Sequence, residues 1–385
     1  MRVEQRLLDW QEAGAIQLRF SYAHVIEAAA VRQTDVGAAR NRLLHIQRLC
    51  GKSALVDPFS LFEAEVRAVA LAPQKQSWSS VYRDDGYWMP PLGDLGIEFP
   101  SLANSLEDAL ASTTNNRAER RRAKRLFDST GRLRTAKQLP ADELGPEVHR
   151  QLDQYPLTAE GRRQVIRFIR GHGSEAQVLE AIESSMIDLR TFSEWYERQW
   201  DRTAPLSQFL RKIGDDLRQS MQDARLGVQR AHEALQGTGA SHKNTPAIQA
   251  ALDDGLRSVP DSMLLRLASV FGLSLSESAH CSWEQTPSLL AVSQILCHVA
   301  RLSALPANGG RPSKASDLGD ALHAIYLPYV DILRVDGFTG NAIKDARLPC
   351  PTTVVTKLLE LPAAIEKRLQ TQSDAKIRGA AQLAD

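Results

Sequence analysis

No apolar run in this chain approaches the roughly 20 residues that a membrane-spanning helix needs, and the opening MRVEQRLLDW reads as the start of an amphipathic helix, without the apolar core of a signal peptide. A cytoplasmic protein without membrane contact is the expectation. Cysteine is scarce: Cys50, Cys281, Cys297 and Cys350 stand apart with no CxxC spacing, which argues against a disulfide framework and a zinc ribbon and for reduced, buried thiols. His280, Cys281, Cys297 and His298 form two adjacent pairs, but neighbours in sequence point away from each other on a helix, so zinc is not expected there. There is no GxxxxGK[ST] loop, no GxGxxG after a strand and no GxSxG elbow, which counts against a nucleotide-driven motor, a dinucleotide enzyme and an α/β hydrolase. Net charge is also nearly absent, at +1, so attraction to nucleic acid has to come from local patches. What is present is ample apolar material: 385 residues, 43% of them apolar and 24% charged, suffice for one large or two ordinary domains.

Along the chain, an N-terminal helix is followed by the breaker Gly14, the short apolar run AIQLRF (Ala15 to Phe20) and a second helix opening at Ser21, where the hydroxyl would serve as N-cap. His24 and Glu27 share a face of that helix. A further amphipathic helix runs from about Val36 to Leu49, with Leu43, Leu44, Ile46 and Leu49 as its stripe. Trp, Tyr, Pro and Gly then dominate Ser77 to Pro100, and helical patterns dominate from about Leu106 to Leu235. This middle carries the run RAERRRAKR, in which Arg120, Arg121, Arg122, Lys124 and Arg125 would contact phosphates if the run is not simply a solvated helix face. GTGASHKNTP (Gly237 to Pro246) reads as a linker.

Two apolar helices, about Ser262 to Phe271 and Pro287 to Leu302, lead into the most informative segment, SDLGDALHAIYLPYVDILRVDGFTGNAIK. It reads as a helix from Asp317 to about Tyr326, a strand VDILRV, and Asp336 at the strand's carboxyl end beside Gly337, where α/β sheets gather their ligand sites. A last helix is expected near Gly340 and a strand at PTTVV. Asp317 suits a helix's first turn, where it complements the dipole, whereas Asp320 lies too deep to cap. His24 and His323 read as packing histidines. Carboxylates drawn from separate elements repel one another unless a dication sits among them. Mg²⁺ or Mn²⁺ held by a few such acids both activates water and offsets charge on a phosphodiester.

The pair GAIQLRFSYAHVIEAA and SDLGDALHAIYLPYVDILRVD resembles the PIN-like nuclease superfamily, over about the first 70 and last 75 residues. The resemblance implies an α/β fold of three layers around a central, mainly parallel sheet, carried by 1–72 and 246–385, with 73–245 a mainly helical insertion or second domain. It implies Glu27, Asp320 (or its neighbour Asp317) and Asp336 as catalytic acids, with Glu27, Asp320 and Asp336 holding Mg²⁺ or Mn²⁺. The family's first acid, at the end of an opening strand, has no counterpart: the start lies upstream of Met1, or another residue substitutes, or the site is weakened, the first being favoured. The implied activity is that of a metal-dependent endoribonuclease, with RNA preferred over DNA as partner. A toxin or defence effector, with an inhibitor protein of its own, would fit. The other classes are a non-catalytic nucleic-acid-binding or regulatory protein on a degenerate frame, and a helical scaffold.

Overall fold

The structure, a computed structural model, describes residues 3–29, 32–70, 81–90, 152–199, 245–276, 278–304 and 316–382, together with 149, 314 and scattered positions between 218 and 230. In chain order its elements are α1 (Val3–Glu12), α2 (Tyr22–Ala28), α3 (Val36–Cys50), β1 (Ala54–Leu55), α4 (Pro58–Ala70), β2 (Tyr82–Arg83), α5 (Ala159–Ile169), α6 (Glu175–Ile187), α7 (Leu189–Arg198), α8 (Thr245–Arg257), α9 (Val259–Val270), α10 (Pro287–Ala304), α11 (Ser316–His323), β3 (Ile332–Arg334), α12 (Gly337–Ala346), β4 (Thr353–Val355) and α13 (Leu361–Gln382). They fall into two compact units, one made of Met1–Glu27, Ser53–Asp85 and Gln208–Asp385, the other of Ala28–Lys52 and Gly86–Ser207. The basic run, with Arg120, Arg121, Arg122, Lys124 and Arg125, lies outside the described residues, as does most of the linker read at Gly237 to Pro246.

The three-layer α/β architecture with a central, mainly parallel sheet does not form among the described residues. Among the described residues, helices dominate and the strands make two sheets of two: β1 with β2, antiparallel, and β3 with β4, parallel. A strand exists only where a neighbour takes up its backbone groups, and apolar runs alone do not supply one. The run Ala15 to Phe20 shows this. Only Phe20 makes a bridge, to Ala54, while the stretch before it is held by side chains: Gln17 donates to Ser53 Oγ and Asp84, and Arg19 donates to the carbonyls of Ala54 and Arg83. VDILRV is likewise shorter as a strand than it reads, pairing over Ile332 to Arg334 alone.

The unit that contains both chain ends is built around a core of Leu55, Leu61, Val81, Val292, Ile295, Ile325, Tyr326, Leu327, Val335 and Ile343. At its centre a 3-10 segment, Ala324–Tyr329, follows α11 and packs on α10; Pro328 inside it lacks the amide an α-helix would need. Glu65 on α4 is fully buried, its Oε1 accepting from Ser288 N at 2.8 Å and from the Tyr329 hydroxyl at 2.9 Å, and its Oε2 from Leu289 N at 3.0 Å. It thus supplies an anion to the first turn of α10, whose amides have no partner within the helix. In the other unit α3 packs on α7, and α5 on α6, around Trp88, Phe192, Trp195 and Tyr196. Thr158, Ser174 and Asp188 cap their helices with side-chain hydrogen bonds, Ser174 within a capping box with Gln177.

Gly340 lets α12 lie close against the residues that follow β4: a Cβ there would stand 2.2 Å from Thr356 Cγ2 and 3.5 Å from Val335. Because Thr356 is β-branched and stiff at its first torsion, the clash cannot be relieved by a rotamer change. Gly340→Ala is expected to lower stability by about 1–3 kcal/mol despite alanine's better helix propensity, read as a shift in the urea midpoint at unchanged slope.

Candidate active-site cavity

Where α2, α11, β3, α12 and α13 meet, they enclose a cavity of about 740 Å³. Its lining includes Glu27, His24, Asp320, His323, Asp336 and Thr339, and, from the strand side, Arg19, Tyr82 and Arg334. The structure therefore brings Glu27, Asp320 and Asp336 to one space, although Glu27 and Asp336 come from opposite ends of the chain. Asp317 is placed differently. It is buried, and its carboxylate accepts the backbone N–H of Lys314 at 2.8 Å, reaching back over the first turn of its own helix.

Each acid owes its position to local chemistry. Asp336 closes β3's trailing backbone and caps α12, accepting Thr339 N at 2.7 Å, so the turn before Gly337 and the helix start share one carboxylate. Asp320 lies mid-helix on α11. Burial pushes its carboxyl up from the ordinary range to about 6, helped by the negative charges of Asp336 and Glu27. Glu27, on the last turn of α2, accepts from His323 Nε2 at 2.9 Å. A Cβ at Gly319 would sit 2.8 Å from Glu27 Oε1, so a side chain there would displace the Glu27 carboxylate.

Two histidines that the sequence offers only as packing residues join this network. His24 is half-buried, and desolvation followed by the nearby His323 drops its pKa to about 3, so its ring is neutral. Its Nδ1 receives the backbone N–H of Ser21 at 3.2 Å and lies 2.9 Å from Ser21 Oγ, which puts the ring proton on Nε2. Ser21 thus turns its hydroxyl to the imidazole, where the sequence had it capping amides. His24 and His323 meet edge to face, with ring centroids 4.5 Å apart. The signal in the sequence was the shared face of His24 and Glu27; nothing in it linked them to His323, 296 positions later.

On the opposite wall Arg19 is ion-paired with Asp84 at 2.9 Å and lies over the Tyr82 ring, 4.7 Å from its centroid. Arg368 pairs with Asp331. Arginine and aromatic groups thus share the cavity lining with the acids. Among the described residues no group of three or more His, Cys, Asp or Glu side chains is placed to hold a metal ion. Asp320 and Asp336 repel each other, and the Thr339 hydroxyl is buried beside Asp336 without a hydrogen-bond partner among the described residues. The cysteines lie elsewhere, Cys281 and Cys297 donating to the carbonyls of Pro260 and Leu256. No helix among the described residues is long and apolar enough to cross a membrane. No family model matches the chain, and neither a curated protein nor a solved structure does.

Proposed function

We propose that this cavity hydrolyses phosphodiester bonds with the help of a divalent cation, and that RNA is its substrate. The observation that carries the reading is the meeting of Glu27, Asp320 and Asp336 in the lining of one cavity, where burial and the charges of the other two acids, both exposed, hold the half-buried Asp320 carboxyl above its ordinary range. Like charges brought together at this cost, with a partnerless hydroxyl beside them, make a site whose strain a dication relieves. Asp320 and Asp336, with Thr339 next to them, would hold Mg²⁺ or Mn²⁺, which supplies a polarised water and a counter-charge for the phosphate. The protein's own part is to orient the acids through α11 and the α12 cap and to border the site with Arg19, Arg334 and Arg368, whose guanidinium groups favour a polyanion. The run at Arg120, Arg121, Arg122, Lys124 and Arg125, outside the described residues, would add phosphate contacts of its own. A cytoplasmic location goes with this reading, the four cysteines being free thiols.

The second reading, a nucleic-acid binder without cleavage, draws on two of the acids being already engaged, Glu27 with His323 and Asp336 with the α12 amide. One experiment decides. End-labelled RNA incubated with the protein and Mn²⁺ is expected to yield fragments, and EDTA to abolish them. Retarded but uncut RNA under the same conditions would support the binder, and RNA neither cut nor retarded at low salt would remove both.

A further inference from the structure

We infer that Glu27 and His323 act as a proton-transfer pair, with His323 protonating the oxygen that leaves the phosphorus and Glu27 positioning its ring. The inference rests on the phosphodiesterase reading and takes Glu27 out of the set of groups that would hold the ion. Four observations carry it. Glu27 Oε2 accepts from His323 Nε2 at 2.9 Å, the arrangement that orients an imidazole and fixes which nitrogen faces away from the carboxylate. Gly319 is without a side chain where the Glu27 carboxylate lies over α11, and a methyl group there would push that carboxylate from its place beside His323. His24 braces His323 edge to face while staying neutral itself, its Nδ1 committed to Ser21. Lastly, His323 Nδ1 takes no hydrogen bond from a described residue, and His323 lines the same cavity as Asp320 and Asp336.

The chemistry requires such a group. As the oxygen of water bonds to phosphorus, the bond from phosphorus to the ribose oxygen breaks, and that oxygen departs as a strongly basic alkoxide unless a proton meets it. The His323 imidazolium gives up its Nδ1 proton to the departing oxygen and regains one from solvent. The proton lost by the attacking water passes to solvent, so each turnover consumes one water. Glu27 does not touch the reacting atoms and is a positioning residue.

Leaving-group dependence tests this. RNA needs its leaving oxygen protonated, whereas bis(p-nitrophenyl) phosphate releases a nitrophenolate that is stable as the anion. With Mn²⁺ present, His323→Gln is expected to slow RNA cleavage about 10²-fold while slowing bis(p-nitrophenyl) phosphate less than about 3-fold. Glu27→Gln and Gly319→Ala should show the same selectivity at about 10-fold on RNA. The ratio of the two rates within one preparation is independent of the fraction folded, so a destabilised variant still reports. Equal losses on both substrates, or none on either, with Asp320→Asn inactive on both, overturn the pair and leave the phosphodiesterase reading standing. If wild type and Asp320→Asn are indistinguishable on both substrates, the phosphodiesterase reading itself falls and the pair with it.

Discussion

Asp320→Asn is expected to abolish cleavage of RNA, by about 10³-fold or more, equivalent to ~4 kcal/mol of lost transition-state stabilisation, and at the same time to make the protein more stable at alkaline pH. The two effects have one origin. In the folded protein the Asp320 carboxyl sits at about 6, above its ordinary 3.8, because burial and the charges of Asp336 and Glu27 disfavour its ionised form. A carboxyl raised on folding leaves stability intact below the unfolded value and removes it as pH rises through the folded one, here between about 4 and about 6. Taken whole the shift amounts to ~3 kcal/mol, and since the side chain is only partly buried, ~1–2 kcal/mol is the appropriate figure. Asparagine carries no charge and escapes that loss. Thermal melts should therefore give the variant a Tm higher than wild type by roughly 2–6 °C at pH 8 and the same Tm at pH 4. Mn²⁺ closes the gap from the other side: it should raise the wild-type Tm at pH 8 and leave the variant where it is. A variant that melts below wild type at pH 8, with unchanged cleavage, would contradict both halves of this prediction.

Glu65→Ala is expected to cost about 2–4 kcal/mol, from buried donors left without an acceptor and the void the side chain leaves. The loss strands the amides of Ser288 and Leu289, takes one partner from the Tyr329 hydroxyl, and leaves a void between α4 and α10. Because Tyr329 also lines the cavity, the same change should loosen the floor of the site. Burial holds the Glu65 carboxyl at about 7 against an ordinary 4.5, with the amide and hydroxyl hydrogen bonds pulling the other way. Its sign matches that of Asp320: stability is complete below pH 4.5 and declines as pH rises through 7. Adding Glu65→Gln to Asp320→Asn should lessen the fall in stability between pH 5 and pH 8, leaving the contribution of Asp57, raised by burial, and that of His24, lowered by burial and so opposite in sign. Urea titrations of the single and double variants at pH 5 and pH 8 measure the Glu65 contribution, and a fall as steep in the double variant as in Asp320→Asn would refute it.

Local signals in the chain were read with good register. Val36 to Leu49 forms α3 over Val36–Cys50, the apolar stretch after Thr286 forms α10 over Pro287–Ala304, and Asp336 before Gly337 marks the passage from strand to helix. These features depend on side-chain periodicity and on caps within a few residues, which any segment carries with it. The architecture was misread for the complementary reason. AIQLRF and VDILRV have the apolar character of buried strands, but whether such a run enters a sheet depends on what lies beside it, and here side-chain hydrogen bonds from Gln17 and Arg19 take the place of a ladder.

The candidate site divides along the same line. That Glu27, Asp320 and Asp336 deserved attention could be argued from residue type and position on their elements. Tertiary structure alone decided that Asp317 turns back to its own helix start, that Glu27 meets His323, and that Glu65, outwardly an ordinary helix acid, anchors the first turn of α10. Helix periodicity, capping and turn chemistry are properties of neighbours along the chain, so the sequence by itself determined them. Which charges share a desolvated space is a property of neighbours in three dimensions, and Coulomb interaction and burial have no counterpart in residue spacing.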